Sequence, residues 1–189
     1  MLLDKLSPPT IAVLSSVGNV NANKAWEATA QDGWVKPTPG EPRESRERYI
    51  RAKYQWRGFV SDVGQELVGV EAEGMPEGGA PVPQRDEAAI ATGLGTRLHA
   101  AAAAGDTCGV LWCVAHKVEI DWRSLLPEGR TALHHAAAGN HLTVCEVLLQ
   151  NGANPGALDA QQCSVVDCAM LANAGVAILE YLQVKADKY

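Results

Sequence analysis

The stretch that decides the fold is GRTALHHAAAGNHLTVCEVLLQNGANP, residues 129–155. Alanines at 136–138 precede Gly139, where a first helix can turn sharply into a second. The second run spaces larger apolar residues three and four positions apart, which predicts a helix that buries one stripe; they are Leu142, Cys145, Leu148 and Leu149. Gly152 and the Asn154-Pro155 pair then end it. The stretch therefore predicts two closely approaching helices.

The same pattern recurs on both sides of this stretch. Upstream, residues 95–121 align at an offset of 35, which places Thr96, Leu98, His99 and Ala101 opposite Thr131, Leu133, His134 and Ala136. Downstream, residues 163–182 align at an offset of 33, with Ser164 and Asp167 replacing the threonine and the histidine. A period near 33 with a T-x-L-H-x-A core resembles the ankyrin repeat. The resemblance implies a helical solenoid at 88–189 with units at 95–128, 129–161 and 162–184, and it makes structural motif residues of Thr131, Leu133, His134 and Ala136.

His99 and His134 raise the question of a metal or catalytic site. The repeat resemblance implies instead a buried histidine that ties a helix start to its loops by hydrogen bonds. The five cysteines form no C-x-x-C pair, and the zinc-finger spacing is absent. We therefore expect no catalytic, cofactor or metal site in the repeats, and we expect the cysteines to be buried, reduced thiols.

Trp122 and Arg123 fall between the first two units, where ankyrin repeats present their contact loops. An exposed tryptophan beside an arginine is a candidate partner-binding site. The alternative is that Trp122 caps the core at a two-residue insertion that precedes Gly129.

The first half predicts further helices. Ser7 can cap a helix that begins at Pro8-Pro9, and Gly18 ends it. Asn19 can begin a second helix that carries Trp26. A longer helix is expected from Arg43 to Val60, with an apolar stripe at Tyr49, Ala52, Trp56 and Phe59 and a basic stripe at Arg43, Arg46, Lys53 and Arg57.

Three motifs in the first half resemble the C-terminal part of an Arf GTPase-activating domain. They are GN-x-x-AN-x-x-WE from Gly18 to Glu27, KP-x-P from Lys36, and R-x-x-YIRAKY, which ends at Tyr54. An ankyrin array directly after this domain is typical of the ankyrin-bearing Arf GTPase-activating proteins. The resemblance implies Arf-type small GTPases and vesicle traffic as partner and setting, and it makes structural motif residues of Gly18, Asn19, Asn23, Trp26 and Tyr54.

In that family a four-cysteine zinc finger and a catalytic arginine precede the matching segment. Neither corresponds to a residue of this sequence, because every cysteine lies in the repeats and the arginines of 43–57 follow the Asn-Trp motif. An arginine finger is worth about 10³–10⁵ in rate. We therefore expect the 189 residues to be a fragment that is catalytically inert, not an enzyme, with zinc belonging to the complete domain.

Composition bounds the remaining choices. A flexible linker at 61–87, rich in Gly, Pro and Glu, joins the predicted domain of 1–60 to the repeats. Helices are predicted on both sides of this linker, so the expected fold class is all-α. A net charge of −6 argues against nucleic acid as a partner. Residues 41–57 carry a local charge of +3, which allows weak peripheral contact with membranes. The expected location is cytoplasmic, because no apolar run has the length of a signal peptide or a membrane span.

Two functions compete at this point. The first is a fragment of a GTPase activator whose repeats bind an unknown protein. The second is a stand-alone ankyrin adaptor for protein–protein interaction.

Overall fold

A computed structural model of the chain describes residues 7–28, 35–57, 59–60 and 87–187. These ranges contain helices and no strand, which confirms the all-α prediction. The helices are α1 Pro8–Trp26, α2 Arg43–Ile50, α3 Glu87–Ala104, α4 Thr107–Ala115, α5 Ala132–Ala138, α6 Leu142–Gln150, α7 Val165–Leu171 and α8 Val176–Ala186. The predicted linker lies outside the described residues, except for Glu87, which begins α3.

Three helix pairs form the repeats: α3 with α4, α5 with α6, and α7 with α8. The first helices stack on one another in the order α3, α5, α7. Small side chains make this close approach possible, because a methyl group keeps the backbones near each other. Ala102, Ala136, Ala137 and Ala169 are fully buried there.

The first helices of the second and third repeats begin with different capping pairs. In α5, His134 Nδ1 accepts a hydrogen bond from the Thr131 backbone N–H at 3.2 Å and lies 2.8 Å from the threonine hydroxyl. In α7, the Asp167 carboxylate accepts from the Ser164 N–H and hydroxyl, at 2.9 and 2.7 Å. The substituted pair thus satisfies the same helix start.

The first repeat departs from this pattern. Thr96 does not cap a helix, because α3 starts nine residues earlier and Thr96 donates its hydroxyl to the Thr92 carbonyl inside the helix. The helix begins in EAAIA, residues 87–91, which are mostly good helix formers, and it continues through Gly93 and Gly95 past the aligned position.

Helix α1 bends where the sequence predicts. Ser7 caps it through the Thr10 N–H, and Gly18 adopts φ 59° and ψ 168° between two helical segments. The left-handed φ is accessible to glycine at little cost. Gly18 therefore ends one segment and Asn19 begins the next, as expected.

The long helix predicted over 43–60 is wrong in its second half. The α-helix ends at Ile50 and continues as a π-helical turn, Arg51–Gln55, which widens the spiral and rotates the following side chains. Phe59 is buried against Tyr49, yet Trp56 is 59% exposed, so the apolar stripe is broken. Lys53 is buried, which breaks the basic stripe as well.

Helix α1 lies across the second helices of the first two repeats, α4 and α6. Val13 and Trp26 pack against the solenoid core. Arg57 donates from Nη1 to the carbonyls of Val114 and Ala115 at the end of α4, at 2.6 and 2.9 Å. No helix among the described residues combines the length and apolar composition needed to cross a membrane.

Candidate interaction surface

A groove opens between the first helices α3 and α5 and the loop that follows α4. It has a volume of about 460 Å³ and is lined by Thr96, His99, Ala100, Ala103, Trp122, Ser124, Leu125, Leu126 and His135. Its lining is mainly apolar, with a few polar atoms among the side chains. Ligand sites commonly combine these two features.

Trp122 is half-buried at the side of this groove. Its backbone carbonyl accepts a hydrogen bond from His99 Nε2 at 3.0 Å, and the two rings meet edge to face at 5.0 Å. A Cβ atom on Gly95 would overlap the indole ring, so this glycine makes room for it. Trp122 thus packs on the first repeat and also lines the groove, and its role in binding stays a prediction.

Two histidines keep the groove uncharged at neutral pH. Burial lowers the pKa of His99 to about 4, and burial also lowers the pKa of His135. Their rings lie 5.1 Å apart on neighbouring helices. A buried imidazole resists protonation because the low-dielectric surroundings disfavour its charged form. The groove therefore suits an uncharged, apolar group.

Leu125 and Leu126 belong to the site, and sequence reasoning did not single them out. They are 80% and 63% exposed on the loop beside Trp122. Large apolar side chains at adjacent exposed positions are a signal for an interaction site. The two-residue insertion before Gly129 was the available clue, because it lengthens this loop relative to the next one.

Arg123 connects the loop before α5 to the loop before α7 by hydrogen bonds. Its Nη1 donates to the carbonyls of Gly129 at 3.2 Å and Leu158 at 2.8 Å. It also lines a second cavity of about 550 Å³ with Asp121 and Asp159. Asp121 accepts from the Asn154 N–H, and Asp159 accepts from the Gln161 and Cys163 N–H groups. The geometry gives Arg123 a structural task, and its predicted partner contact stays a prediction.

The repeat motif residues are buried. Thr131, Leu133, His134 and Ala136 each have at most 1% exposure. Burial lowers the pKa of His134, which keeps Nδ1 available as the acceptor of the helix cap. These placements give the four residues structural contacts.

Motif residues of the first half lie around an ion pair in which Lys53 is buried and Glu27 is half-buried. Lys53 donates to Asn23 Oδ1 and to Glu27 Oε1, the latter at 2.7 Å. Lys36 reaches both oxygens of Glu27 at 3.1 Å. Burial would raise the pKa of Glu27, but the hydrogen bonds from Lys53 and Lys36 outweigh it, and the pKa is lowered. Burial would lower the pKa of Lys53, yet the hydrogen bonds from Glu27 and Tyr54 leave it raised.

The other members of this motif set lie nearby. The Trp26 and Tyr54 rings are 5.4 Å apart. Asn19 and Tyr54 line a cavity of about 350 Å³ between α1 and α2. Gly18 provides the bend described above. The fold therefore brings the motif of Gly18 to Glu27 and the motif that ends at Tyr54 into one cluster.

A family model of ankyrin repeats, in three copies, matches residues 86–188. The chain belongs to the ankyrin-repeat family. The match covers the three helix pairs and includes all of α3.

Curated relatives of this ankyrin protein carry the Arf-GAP name. Arf-GAP with coiled-coil, ANK repeat and PH domain-containing protein 2 from Rattus norvegicus is 26% identical over 85% of this chain and 28% of the relative. The protein of that name from Gallus gallus is 24% identical over 82% of this chain and 28% of the relative. Protein 3 of the series, from Homo sapiens, is 40% identical over 35% of this chain and 8% of the relative.

The chain thus spans less than a third of the length of these relatives. The similarity to the proteins numbered 2 extends beyond the repeats, since it covers more than four fifths of the chain. The predicted relationship to ankyrin-bearing Arf-GAP proteins is confirmed.

The residues present do not fit the zinc site that the Arf-GAP resemblance implies. All five cysteines lie between 108 and 168, within the ankyrin repeats, and three are buried; the prediction of buried thiols is wrong for Cys108, which is exposed, and for Cys163, which is half-buried. Burial raises the pKa of Cys113 to about 11 and of Cys145 to about 12, whereas zinc requires thiolates. Across the described ranges, no group of three or more His, Cys, Asp or Glu side chains is arranged to hold a metal ion.

Proposed function

We propose that the chain is the protein-binding part of an Arf GTPase-activating protein, and that its ankyrin repeats hold a protein partner in the groove beside Trp122. The observation that carries the binding role is the apolar groove, with Leu125 and Leu126 exposed on its loop. The relatives' names carry the connection to Arf-type GTPases.

The groove suits a partner that inserts an uncharged apolar side chain. Its histidines are neutral at neutral pH, and its lining includes no Asp, Glu, Lys or Arg. A charged group would lose hydration there without an opposite charge to compensate. Apolar anchors that fill such pockets contribute most of the affinity in many interfaces.

Peptides selected on the intact chain from a random library test the groove. The double substitution Leu125→Ser and Leu126→Ser should weaken their binding at least tenfold, because it removes two exposed apolar contacts. Leu171→Ser is the matched control, since Leu171 is 72% exposed on α7, outside the groove lining. Selected peptides that ignore the double substitution would contradict the proposal.

A GTP hydrolysis assay tests the second part. The 189-residue chain should leave the rate of an Arf-type GTPase unchanged, because the family's catalytic arginine has no counterpart among its motif residues. An arginine finger supplies about 10³–10⁵ in rate, so residual activity would be easy to detect. Acceleration by this chain would show that some other residue replaces the finger.

A stand-alone adaptor is the second candidate. It is favoured by one observation, that the groove is formed within the repeats and draws no residue from 7–60. An adaptor would bind its peptide and show no affinity for an Arf-type GTPase. Binding of the GTPase by the intact chain would favour the first candidate.

A further inference from the structure

We propose that Ser7 is a phosphorylation site, and that a phosphate there releases α1 from the ankyrin repeats. Ser7 is exposed at the start of α1 and is directly followed by Pro8. The enzyme class is a serine/threonine kinase that requires proline after the acceptor residue. The inference is independent of the groove and of any activity toward GTPases.

A chain of hydrogen bonds connects Ser7 to the repeats. The Thr10 hydroxyl donates to Glu146 Oε1 on α6 at 2.7 Å, and it therefore accepts the Ser7 hydroxyl, also at 2.7 Å. The serine oxygen is thus within about two hydrogen-bond lengths of a carboxylate on the other side of the interface. A group attached to Ser7 acts directly on this contact.

The surroundings of Glu146 can compensate little additional negative charge. Its side chain is 3% exposed, Oε1 also accepts from Gln150 Nε2 at 2.7 Å, and Oε2 is buried without a hydrogen-bond partner. Among the residues that the structure describes, Lys185 Nζ is the cation within 4 Å of this carboxylate, at 3.9 Å from Oε2. A phosphate adds a charge of about −1.5 to −2, which one lysine already shared with Glu146 cannot balance.

The local backbone suits a kinase at Ser7. Its φ of −65° and ψ of 151° are extended, and the residue is exposed, so its hydroxyl is accessible to a kinase. In the reaction the Ser7 oxygen bonds to the γ-phosphorus of ATP, the bond to the β-phosphate oxygen breaks, ADP leaves, and the hydroxyl proton passes to the kinase base.

The chain contains its own control site. Thr38 is the only other serine or threonine that precedes a proline in this sequence. Its hydroxyl donates to Glu41 Oε1 within an exposed turn, away from the repeats. A phosphate on Thr38 carries the same charge but has no contact with α6.

The experiment phosphorylates two full-length variants with a proline-directed kinase and ATP. Thr38→Ala leaves Ser7 as the acceptor, and Ser7→Ala leaves Thr38. Phosphorylated Ser7 should raise amide hydrogen exchange in residues 10–26 at least tenfold, because a helix without tertiary support is marginally stable in water. Phosphorylated Thr38 should leave that exchange unchanged. No phosphate on Ser7, when a peptide of residues 2–14 is modified, would overturn the site; unchanged exchange would overturn the release.

A charge series separates repulsion from capping. Ser7→Asp and Ser7→Asn are comparable helix caps and differ by one charge. Amide exchange in residues 10–26 should rise for Ser7→Asp alone, and Glu146→Gln in the same chain should return it to the Ser7→Asn value. Equal exchange for the two variants, or a rise that Glu146→Gln leaves in place, would contradict the assigned contact.

Discussion

The ion pair of Lys53 and Glu27 shows how single residues stabilise the first half of the chain. Lys53 is 6% exposed, and its ammonium group bridges Asn23 on α1 and Glu27 just after it. Removing one partner of a buried charge pair costs more than the pair contributes, because the other charge stays buried. The pair therefore makes the α1–α2 contact sensitive to substitution.

Lys53→Met should lower the free energy of unfolding by about 2 kcal/mol, because Glu27 retains Lys36 but loses its closer partner. Urea unfolding of the full chain measures this. Lys24→Met on the exposed surface of α1 is the control and should change stability by less than about 0.5 kcal/mol. Equal effects of the two substitutions would refute the role of the pair.

His99 gives the solenoid a pH dependence. Its pKa of about 4 in the folded chain lies below the unfolded value of 6.5, so the unfolded state binds the proton first. Stability is therefore lost as the pH falls from about 6.5 to about 4, by up to about 1.4 kcal/mol per pH unit for this group. His99→Gln, which can still donate to the Trp122 carbonyl, should flatten this slope in urea titrations at several pH values. An unchanged slope would assign the effect to the other histidines.

For single residues, the sequence predicted which side chains are buried better than it predicted their partners. The T-x-L-H-x-A period predicted buried motif residues such as His134, and the structure places it in a helix cap. The partner of Lys53 could not be predicted, because Glu27 is 26 positions away and no periodic pattern connects them.

Among the elements, α3 depends on a close approach at Gly95. Alanine is the better helix former by about 1 kcal/mol, but its Cβ would overlap the Trp122 ring. Overpacking of this kind costs about 1–3 kcal/mol, so the clash outweighs the propensity.

Gly95→Ala should therefore destabilise the chain by up to about 2 kcal/mol and displace Trp122, which would weaken peptide binding in the groove. Thermal unfolding and peptide affinity report the two effects. Gly40→Ala is the control, since a Cβ there meets no atom within 4 Å. A stabilised variant with intact binding would show that Trp122 moves freely.

The helix pairs were predictable because each repeats a local pattern of small and large apolar residues. The third repeat was recognised despite Ser164 and Asp167, whose chemistry satisfies the same cap. The π-helical turn at Arg51–Gln55 was not predictable, because local propensity favours a continuous helix. Where the helix widens into the π-helical turn, Lys53 bonds to Glu27 and Tyr49 packs against Phe59.

In the whole molecule, Arg57 joins the first half to the solenoid. It donates to two carbonyls at the end of α4 and lies over the Trp26 ring at 5.5 Å. Hydrogen bonds from a charged donor are worth about 1.5–3 kcal/mol. No local sequence pattern predicts these two contacts, because Arg57 is separated from Val114 by 57 positions and from Ala115 by 58.

Arg57→Gln should lower stability by about 2 kcal/mol and increase amide exchange at the end of α4. Arg51→Gln is the matched control, because Arg51 is exposed on the π-helical turn. Unfolding curves measure the change in stability, and exchange at Lys117, whose N–H donates to the Val114 carbonyl, measures the local change. An Arg51 effect as large as that of Arg57 would argue against a specific clamp.

The position of α1 across α4 and α6 has a mechanical consequence. It acts as a cross-brace that resists shear between the first and second repeats, whereas the second and third repeats join mainly through α5 and α7. We therefore expect bending of the solenoid to concentrate at the contact between the second and third repeats. A partner bound beside Trp122 would contact the more rigid first two repeats. A partner that extends to α7 would have to adapt to changes in the curvature of the solenoid.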